Sequence, residues 1–312
     1  FLIPVALALK GGGKFTGHGR LMERPQEPYF ALFREKGIFY EQKDGVLTVE
    51  GKLTAGVYTL PGNVSSQFIT GLLYALPLLE GDSRIELTTD LESRGYVDMT
   101  LDALKRFGVT AEYDGKRTFH VPGNQYYQHQ NLAIEADWSN AAFWYGAKFL
   151  GCPVEIGGLD QASVQGDRAI AGFYEQMGGA GRLELDVSQC PDLVPPLAAM
   201  AALRAGETTA IVNAGRLRIK ESDRLATVTE VLNALGAQVE EHEDHLVIHG
   251  REKLAGGVTV SGHNDHRIAM MAAIAAIRCE KPVTITGAEC VKKSYPRFWE
   301  DYEALGGLVQ KT

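Results

Sequence analysis

The sequence predicts an α/β protein of two domains built from repeated β-α-β-α-β-β units. Five amphipathic stretches each end at a glycine that is followed by alternating apolar and polar residues, and these glycines stand at positions 37, 108, 178, 236 and 306. Their intervals are 71, 70, 58 and 70 residues. A glycine just past a helix ends it by taking the left-handed conformation, and the alternation after it predicts a strand. A period of this length indicates an array of packed units.

Each unit is also predicted to contain a more apolar helix upstream of the amphipathic one. These helices read FLIPVALAL, VSSQFITGLLYALPLL, WSNAAFWYGAKFL, LVPPLAAMAALRA and HRIAMMAAIAAIR. A helix that is apolar on most sides is a buried one. Between the two helices we expect a strand, and the five candidates are KFTGHG, SRIELTTD, CPVEIGGL, TTAIVNAG and KPVTITGA. In VTAEYDGKRTFHV and QVEEHEDHLVIHG the alternation continues across a turn, which predicts a hairpin.

The composition is that of a globular protein and argues against two classes of partner. The 312 residues are 45% hydrophobic and 22% charged, and the formal net charge is -8. Phosphate-backbone affinity requires excess Lys and Arg, so we expect no nucleic-acid partner. No apolar run reaches the length of about 18 residues that a membrane span needs. We therefore expect a cytoplasmic protein without a membrane partner.

Neither the cysteines nor the histidines form a recognisable metal or disulfide pattern. The four cysteines are far apart in sequence and include no CxxC, so we expect reduced thiols. Three histidines, His242, His245 and His249, lie on a predicted hairpin, where their odd spacing splits them across two faces. We expect them to be solvated, and a metal site there is the alternative.

Cationic residues gather just ahead of the predicted helices, although the chain as a whole is acidic. The stretch 216–225 reads RLRIKESDRL and contains four cations. Helix N-termini favour anions, and Arg and Lys placed there strengthen such sites. The chain is therefore expected to bind ligands with several negative charges through Arg20, Lys220, Arg224, Arg267 and Lys293.

These motifs have a second interpretation as ordinary helix starts. Asp265 in NDHR and Ser222 in KESDR are candidate helix caps. Glu221 and Arg224 are also compatible with a surface ion pair of little energetic value. Asp192 lies at the head of a very apolar helix, where it is either a cap or a carboxylate held as a general base. From these residues alone both interpretations stay open.

Together, KESDR, NDHR, SSQF and the ordered repeat resemble the 5-enolpyruvylshikimate-3-phosphate synthase family over the full length of the chain. The resemblance implies the enolpyruvyl transferase fold, an inside-out α/β barrel in which six units form two domains, with helices inward and sheets outward. This chain supplies most of the last five units, and we expect the first unit to be missing. Residues 1–135 then form a partial N-terminal domain of two units, and residues 136–312 form a C-terminal domain of three.

The same resemblance implies a reaction and its partners. The enolpyruvyl group of phosphoenolpyruvate is transferred to the 5-hydroxyl of shikimate 3-phosphate, through a tetrahedral intermediate from which phosphate leaves. Both substrates are anionic small molecules, in agreement with the cationic clusters. No metal and no organic cofactor are expected, and the protein is expected to be a monomer.

The resemblance also assigns residues. The shikimate 3-phosphate group comprises Ser65, Ser66, Gln67, Ser93, Tyr96, Asp192, Arg216 and Lys220. The phosphoenolpyruvate group comprises Arg20, Gln67, Arg224, Arg267 and Lys293. The residues expected to act in catalysis are Asp192 near the 5-hydroxyl, Glu221 at the methylene carbon, and Lys293. His266 is expected to support Arg267.

The chain departs from the family pattern in two ways. The family often has proline where this chain has Gly95, which leaves the shape of that loop open. A Lys-Ser motif and a Gly-rich motif that family members carry near the N-terminus are absent from the sequence. We therefore expect the 312 residues alone to be nearly inactive.

Two alternatives remain at this point. The related transferase that acts on UDP-N-acetylglucosamine usually carries a cysteine in the loop that corresponds to GKFTGHGRLMERP, and this loop has none. A non-catalytic anion-binding relative is the other alternative. The presence of Asp192, Glu221, Arg224, Arg267 and Lys293 argues against it.

Overall fold

The computed structural model describes residues 1–310, so the last two residues of the predicted second domain lie outside it. The chain forms two compact units. The first contains Phe1–Ile134 together with Val164–Gly166, and the second contains the remaining described residues from Glu135 onward. The domain boundary predicted between residues 135 and 136 stays a prediction. No helix within the described range is both long enough and apolar enough to cross a membrane.

The first unit repeats one order of helices and strands. Its elements are α1 (Leu2–Lys10), β1 (Gly12–Thr16), α2 (Glu27–Lys36), β2 (Phe39–Lys43), β3 (Val46–Glu50), β4 (Val57–Leu60), α3 (Ser66–Ala75), β5 (Ser83–Leu87), α4 (Arg94–Arg106), β6 (Glu112–Tyr113) and β7 (Thr118–Val121). One sheet has the antiparallel order β1-β3-β2. The other has the order β4-β5-β7-β6, in which β4 and β5 are parallel and the remaining pairs antiparallel.

The second unit contains the same supersecondary pattern. Its elements are α5 (Trp138–Phe149), α6 (Ile170–Met177), β8 (Leu183–Asp186), α7 (Val194–Ala202), β9 (Thr208–Val212), α8 (Arg224–Leu235), β10 (Gln238–Glu241), β11 (Leu246–His249), β12 (Leu254–Gly256), β13 (Thr259–Ser261), α9 (His266–Ala276), β14 (Cys279–Lys281), β15 (Thr284–Thr286) and α10 (Phe298–Ala304). The sheet order β8-β9-β11-β10 reproduces that of β4-β5-β7-β6, with the parallel pair again first. The predicted repeat and the α/β fold class are confirmed.

The apolar helices of the second unit form its core. Every residue of α7 is buried, and this helix contacts α5, α8 and α9. Helix α9 is buried along almost its whole length. Both helices are rich in alanine, whose small side chain lets neighbouring helices approach closely. Their burial agrees with sequences that are apolar on all sides, whereas the same prediction is wrong for α1, in which only Pro4 and Leu7 are buried.

Three local predictions are wrong: one lies after Gly306, where residues 307–310 form no strand, and the other two lie in the third repeat. The stretch CPVEIGGL forms no strand. The amide of Val154 donates only to the nearby carbonyl of Cys152, and a strand exists only where a neighbouring strand completes its hydrogen bonds. Gly178 follows α6 but has φ −71°, a right-handed conformation. The helix ends instead in turns, in which the amides of Gly178 and Gly179 donate to Glu175 and Gln176, and Gly181 (φ 93°) takes the left-handed conformation.

The shortened interval of 58 residues has a related cause. Between Gly178 and α7 the chain forms a single strand, β8. This strand pairs in parallel with β9, and α7 connects the two. Strand β8 is therefore the leading strand of the fourth repeat, and no hairpin separates it from α6.

Candidate active site

Asp192 lies where three cationic side chains of the second unit meet. A 3₁₀ turn, Pro191–Leu193, leads into α7, and Asp192 makes no side-chain cap there. Its carboxylate accepts hydrogen bonds of 2.8 Å from Arg224 Nη1 and from Arg267 Nη2. Lys220 Nζ is 3.6 Å from the same carboxylate. Of the two interpretations of Asp192, the helix cap is wrong.

Arg224 is the centre of this cluster and is a buried residue. It is the first residue of α8, and its side chain is only 2% exposed. Its Nε donates to Asp265 Oδ2 at 2.8 Å, and its Nη2 donates to Glu221 Oε2 at 2.6 Å. With the bond to Asp192, one guanidinium holds three carboxylates. The interpretation of Glu221 and Arg224 as a surface pair is therefore wrong.

Asp265 is the helix cap that the sequence predicts and also a counter-ion, which the sequence did not predict. Its Oδ1 accepts from the amide of Arg267 at 3.0 Å, so it caps α9 as predicted. It is also completely buried and is the counter-ion of Arg224. Ser222 does not cap α8, because Asp223 does so by accepting from the amide of Ala226. The Ser222 hydroxyl instead lies 3.0 Å from Asp265 Oδ2.

The charges of the cluster balance and set the ionisation of its members. Burial alone would raise the pKa of Asp192, but the charges of Arg267, Lys220 and Arg224 outweigh it and hold that pKa well below its usual range. The carboxylate of Asp192 raises the pKa of Lys220, while burial and Arg224 lower it, with a net shift downward. Three cations face three carboxylates, including Glu221 and Asp265, so the group as a whole needs little outside compensation.

The other predicted residues of the second unit are His266, Lys293 and Arg216. His266 is buried, and burial together with the charge of Arg267 lowers its pKa to about 4, so it is neutral at pH 7. Lys293 is exposed and donates to the backbone and side-chain oxygens of Asn264, the latter at 2.8 Å. Arg216 donates to the carbonyl of Ser188. In these bonds Lys293 and Arg216 therefore contact groups other than Asp192.

In the first unit, all of the predicted residues except Arg20 lie at the starts of two neighbouring helices, α3 and α4. Ser65 caps α3 by accepting from the amide of Gln67 at 3.3 Å. Ser66 is buried and Gln67 is exposed. Ser93 precedes α4 with φ 53°, and its carbonyl accepts from the amide of Tyr96.

A buried hydroxyl pair holds these two helices side by side. Thr70 and Thr100, one on each helix, are joined by a hydrogen bond of 2.8 Å.

Arg20, the remaining predicted residue of this unit, lies on an exposed 3₁₀ turn, where its Nε is 3.9 Å from Glu23 Oε2.

Sequence reasoning missed the contribution of Asp265 and Ser222 to the ionic cluster. Both were considered only as caps. The available signal was the charge balance, because a buried arginine needs acidic partners and NDHR places an aspartate beside Arg267.

No group of three or more His, Cys, Asp or Glu side chains within residues 1–310 is arranged to hold a metal ion.

Comparisons with known proteins match the whole chain. The family model described as EPSP synthase (3-phosphoshikimate 1-carboxyvinyltransferase) matches residues 1–183 and 179–302. Proteins named 3-phosphoshikimate 1-carboxyvinyltransferase from Clostridium kluyveri and Clostridium acetobutylicum are 49% and 50% identical over 328 and 327 residues. Each alignment covers 100% of this chain and 76% of the relative.

Solved structures share the fold. The EPSP synthase from Acinetobacter baumannii has a TM-score of 0.77 at 24% identity and covers 98% of this chain, with 76% of its own length matched. The enolpyruvyl transferase NikO from Streptomyces tendae has a TM-score of 0.74 at 18% identity and covers 100% of this chain, again with 76% of its own length matched.

Replacing the central arginine tests the energetic role of the cluster. Arg224→Met leaves Asp265 buried without its counter-ion, and we expect a loss of about 3–5 kcal/mol in the free energy of unfolding. Arg297→Met is the matched control, because Arg297 is 74% exposed in its pair with Glu300, and we expect a change of about 1 kcal/mol or less. Urea unfolding measures both, and equal losses in the two variants contradict the assigned role of Arg224.

His266 predicts a pH dependence of stability. Its pKa is about 4 in the folded chain, below the ordinary imidazole value of 6.5, so the unfolded chain takes up a proton at higher pH than the folded chain. Stability is therefore expected to fall as pH drops from 6.5 to 4, by up to about 3 kcal/mol from this residue. The depressed pKa of Asp192 acts below 3.8, outside this window.

His266→Gln removes that titration, so its unfolding free energy should fall less between pH 6.5 and 4. Above pH 7 the curves of the two proteins should run parallel. An identical slope in both proteins across the acidic window contradicts the assignment.

Proposed function

The chain belongs to the EPSP synthase family, and from that premise we propose how its residues transfer the enolpyruvyl group of phosphoenolpyruvate to the 5-hydroxyl of shikimate 3-phosphate. The products are 5-enolpyruvylshikimate 3-phosphate and phosphate. The single observation that carries the residue assignment is the contact of Asp192 with Arg224, Arg267 and Lys220. A carboxylate among cations at helix N-termini suits a reaction in which anionic groups meet an acid–base residue.

Arg224 and Arg267 are proposed to bind phosphoenolpyruvate. Both stand in the first turn of a helix, where backbone N–H groups and the helix dipole also favour an anion. A guanidinium forms paired hydrogen bonds to carboxylate or phosphate. Lys293, which lies beside Asn264 and is exposed, is proposed to reach the same substrate. From the first unit, the residues proposed for this substrate are Arg20 and Gln67.

Shikimate 3-phosphate is proposed to bind through hydroxyl groups and helix N-termini. In the first unit the proposed contacts are Ser65, Ser66, Gln67, Ser93 and Tyr96. The starts of α3 and α4 present backbone N–H groups suited to its phosphate. In the second unit the proposed contacts are Asp192, Arg216 and Lys220.

Asp192 and Glu221 are proposed to move the protons. Asp192 takes the proton of the 5-hydroxyl as the hydroxyl oxygen bonds to C2 of phosphoenolpyruvate, and Glu221, in its protonated form, delivers its proton to C3. In the second step Glu221 takes a proton back from C3, and Asp192 returns its proton to the phosphate as the phosphate leaves, which restores the double bond. An anionic substrate that binds Arg224 and Arg267 competes with their hydrogen bonds to Asp192. The basicity of Asp192 then rises.

The remaining features of the proposal concern partners and place. The substrates are small molecules, and the protein is proposed to work as a cytoplasmic monomer without a metal, an organic cofactor, nucleic acid or a membrane. His266 is proposed to support Arg267 from the same helix turn, since it is neutral at pH 7 and adds no competing charge.

Phosphate release from phosphoenolpyruvate tests the function. The assay compares the 312-residue chain with a chimera that adds the part of the Clostridium kluyveri relative that this chain does not match. Release is expected from the chimera when shikimate 3-phosphate is the acceptor, and not when UDP-N-acetylglucosamine replaces it. Release with UDP-N-acetylglucosamine alone, or no release by the chimera, contradicts the proposal.

Asp192→Asn tests the proton acceptor. The amide keeps the size of the side chain but cannot take the hydroxyl proton, so turnover should fall by about 10²–10⁴-fold, more than phosphoenolpyruvate binding weakens. Asp160→Asn is the matched control, because its carboxylate only caps a loop by accepting from the amide of Ala162. Stopped assays for turnover and calorimetry for binding separate the two effects, and full turnover in Asp192→Asn removes this residue from the mechanism.

A further inference from the structure

A chain of hydroxyl groups extends from Asp265, the carboxylate that accepts from Arg224 Nε at 2.8 Å and from Arg224 Nη2 at 3.3 Å. Ser222 Oγ is 3.0 Å from Asp265 Oδ2 and 3.1 Å from Thr227 Oγ1. Ser222 and Thr227 are 5% and 8% exposed. Neither residue belongs to the groups assigned above to substrates, and the ion pairs do not by themselves explain why two hydroxyls are buried here.

The direction of these hydrogen bonds follows from their chemistry. Asp265 is held ionised, because the charge of Arg224 outweighs the effect of burial and lowers its pKa, so its oxygens only accept. The single hydroxyl proton of Ser222 therefore points at Asp265. Thr227 has a single hydroxyl proton and shares it in a three-centre hydrogen bond between the carbonyl of Asp223, at 3.0 Å, and the Ser222 oxygen, at 3.1 Å. The order of donation is Thr227 to Ser222 to Asp265.

This chain fixes the carboxylate oxygen that holds Arg224. Asp265 Oδ1 is fixed by the helix-capping bond from the amide of Arg267. Oδ2 accepts from both Ser222 Oγ and Arg224 Nε, at 3.0 and 2.8 Å. Two anchors prevent rotation of the carboxylate, and the Nε bond in turn fixes the plane of the guanidinium. A planar guanidinium held at Nε can direct both Nη atoms in only one way.

We propose that Ser222, supported by Thr227, is a positioning residue that orients the guanidinium of Arg224 through Asp265. In this orientation Nη1 and Nη2 face the position where an anionic substrate group replaces the carboxylates of Asp192 and Glu221. The inference rests on the proposed function only for the identity of that anion. Ser222 itself touches no reacting atom.

Kinetics of Ser222→Ala test the consequence for substrate binding. The variant removes one oxygen and no volume elsewhere, and loss of a charge-assisted hydrogen bond should raise KM for phosphoenolpyruvate about tenfold. KM for shikimate 3-phosphate and kcat should change by about twofold or less, because a misdirected Arg224 affects mainly one substrate. In an active chimera, an unchanged KM for phosphoenolpyruvate overturns the proposal.

Nuclear magnetic resonance tests the positioning without any turnover. Hydrogen exchange at Arg224 Nε, identified by loss of its signal in Arg224→Lys, should be about tenfold faster in Ser222→Ala. The backbone amide of Leu232 in the same helix serves as the reference for global stability. Thr227→Val should also make the Arg224 Nε exchange faster relative to the Leu232 amide, as Ser222→Ala does.

Thr229→Val is the matched control on α8. Thr229 Oγ1 donates to the carbonyl of Leu225 at 2.9 Å, as Thr227 does to Asp223, but it has no bond to Ser222. Its replacement should leave Nε exchange unchanged relative to Leu232. Equal exchange rates in Ser222→Ala and the unsubstituted chain overturn the proposal. If neither chain nor chimera releases phosphate, the proposed function fails, and the exchange rate alone decides whether Ser222 orients Arg224.

Discussion

The buried charge of Arg224 is the constraint on which the second unit depends. A guanidinium without water must have its charge and its donors satisfied within the protein. Asp192 ahead of α7, Glu221 ahead of α8 and Asp265 at the start of α9 all supply oxygens to it. These residues can reach one side chain only if the starts of the three helices converge. The same constraint therefore fixes the packing of the core helices and creates the site.

The ionic cluster contributes less to stability than its number of ion pairs suggests, because desolvation of six charged groups costs much of what their attraction returns. The cluster holds cationic and anionic side chains within hydrogen-bonding distance of one another. In the proposed function, an anionic substrate replaces a carboxylate at the two arginines, and this exchange raises the basicity of Asp192.

The repeats show how one local pattern is used with variation. Strand orders β4-β5-β7-β6 and β8-β9-β11-β10 are equivalent, and each places an apolar helix between two parallel strands. In both cases the polar residues ahead of a helix are presented at its N-terminus, whether as the Ser65 cap of α3 or as Asp192 ahead of α7. The third repeat keeps its helices but has no strand in CPVEIGGL, since a strand needs a partner that local sequence does not supply.

The sequence by itself determined the helices, most strands and the chemical character of the ligands. Apolar periodicity, glycine stops and cations ahead of helices are local properties, and they act over a few residues. Only the tertiary structure decided which carboxylate meets which cation. Asp192 is 32 residues from Arg224 and 75 from Arg267, and Asp265 is 41 from Arg224. Packing likewise excluded the helix cap for Asp192 by placing its carboxylate on Arg224 and Arg267. Ion pairs between distant segments depend on how helices pack, and no spacing along the chain contains that information.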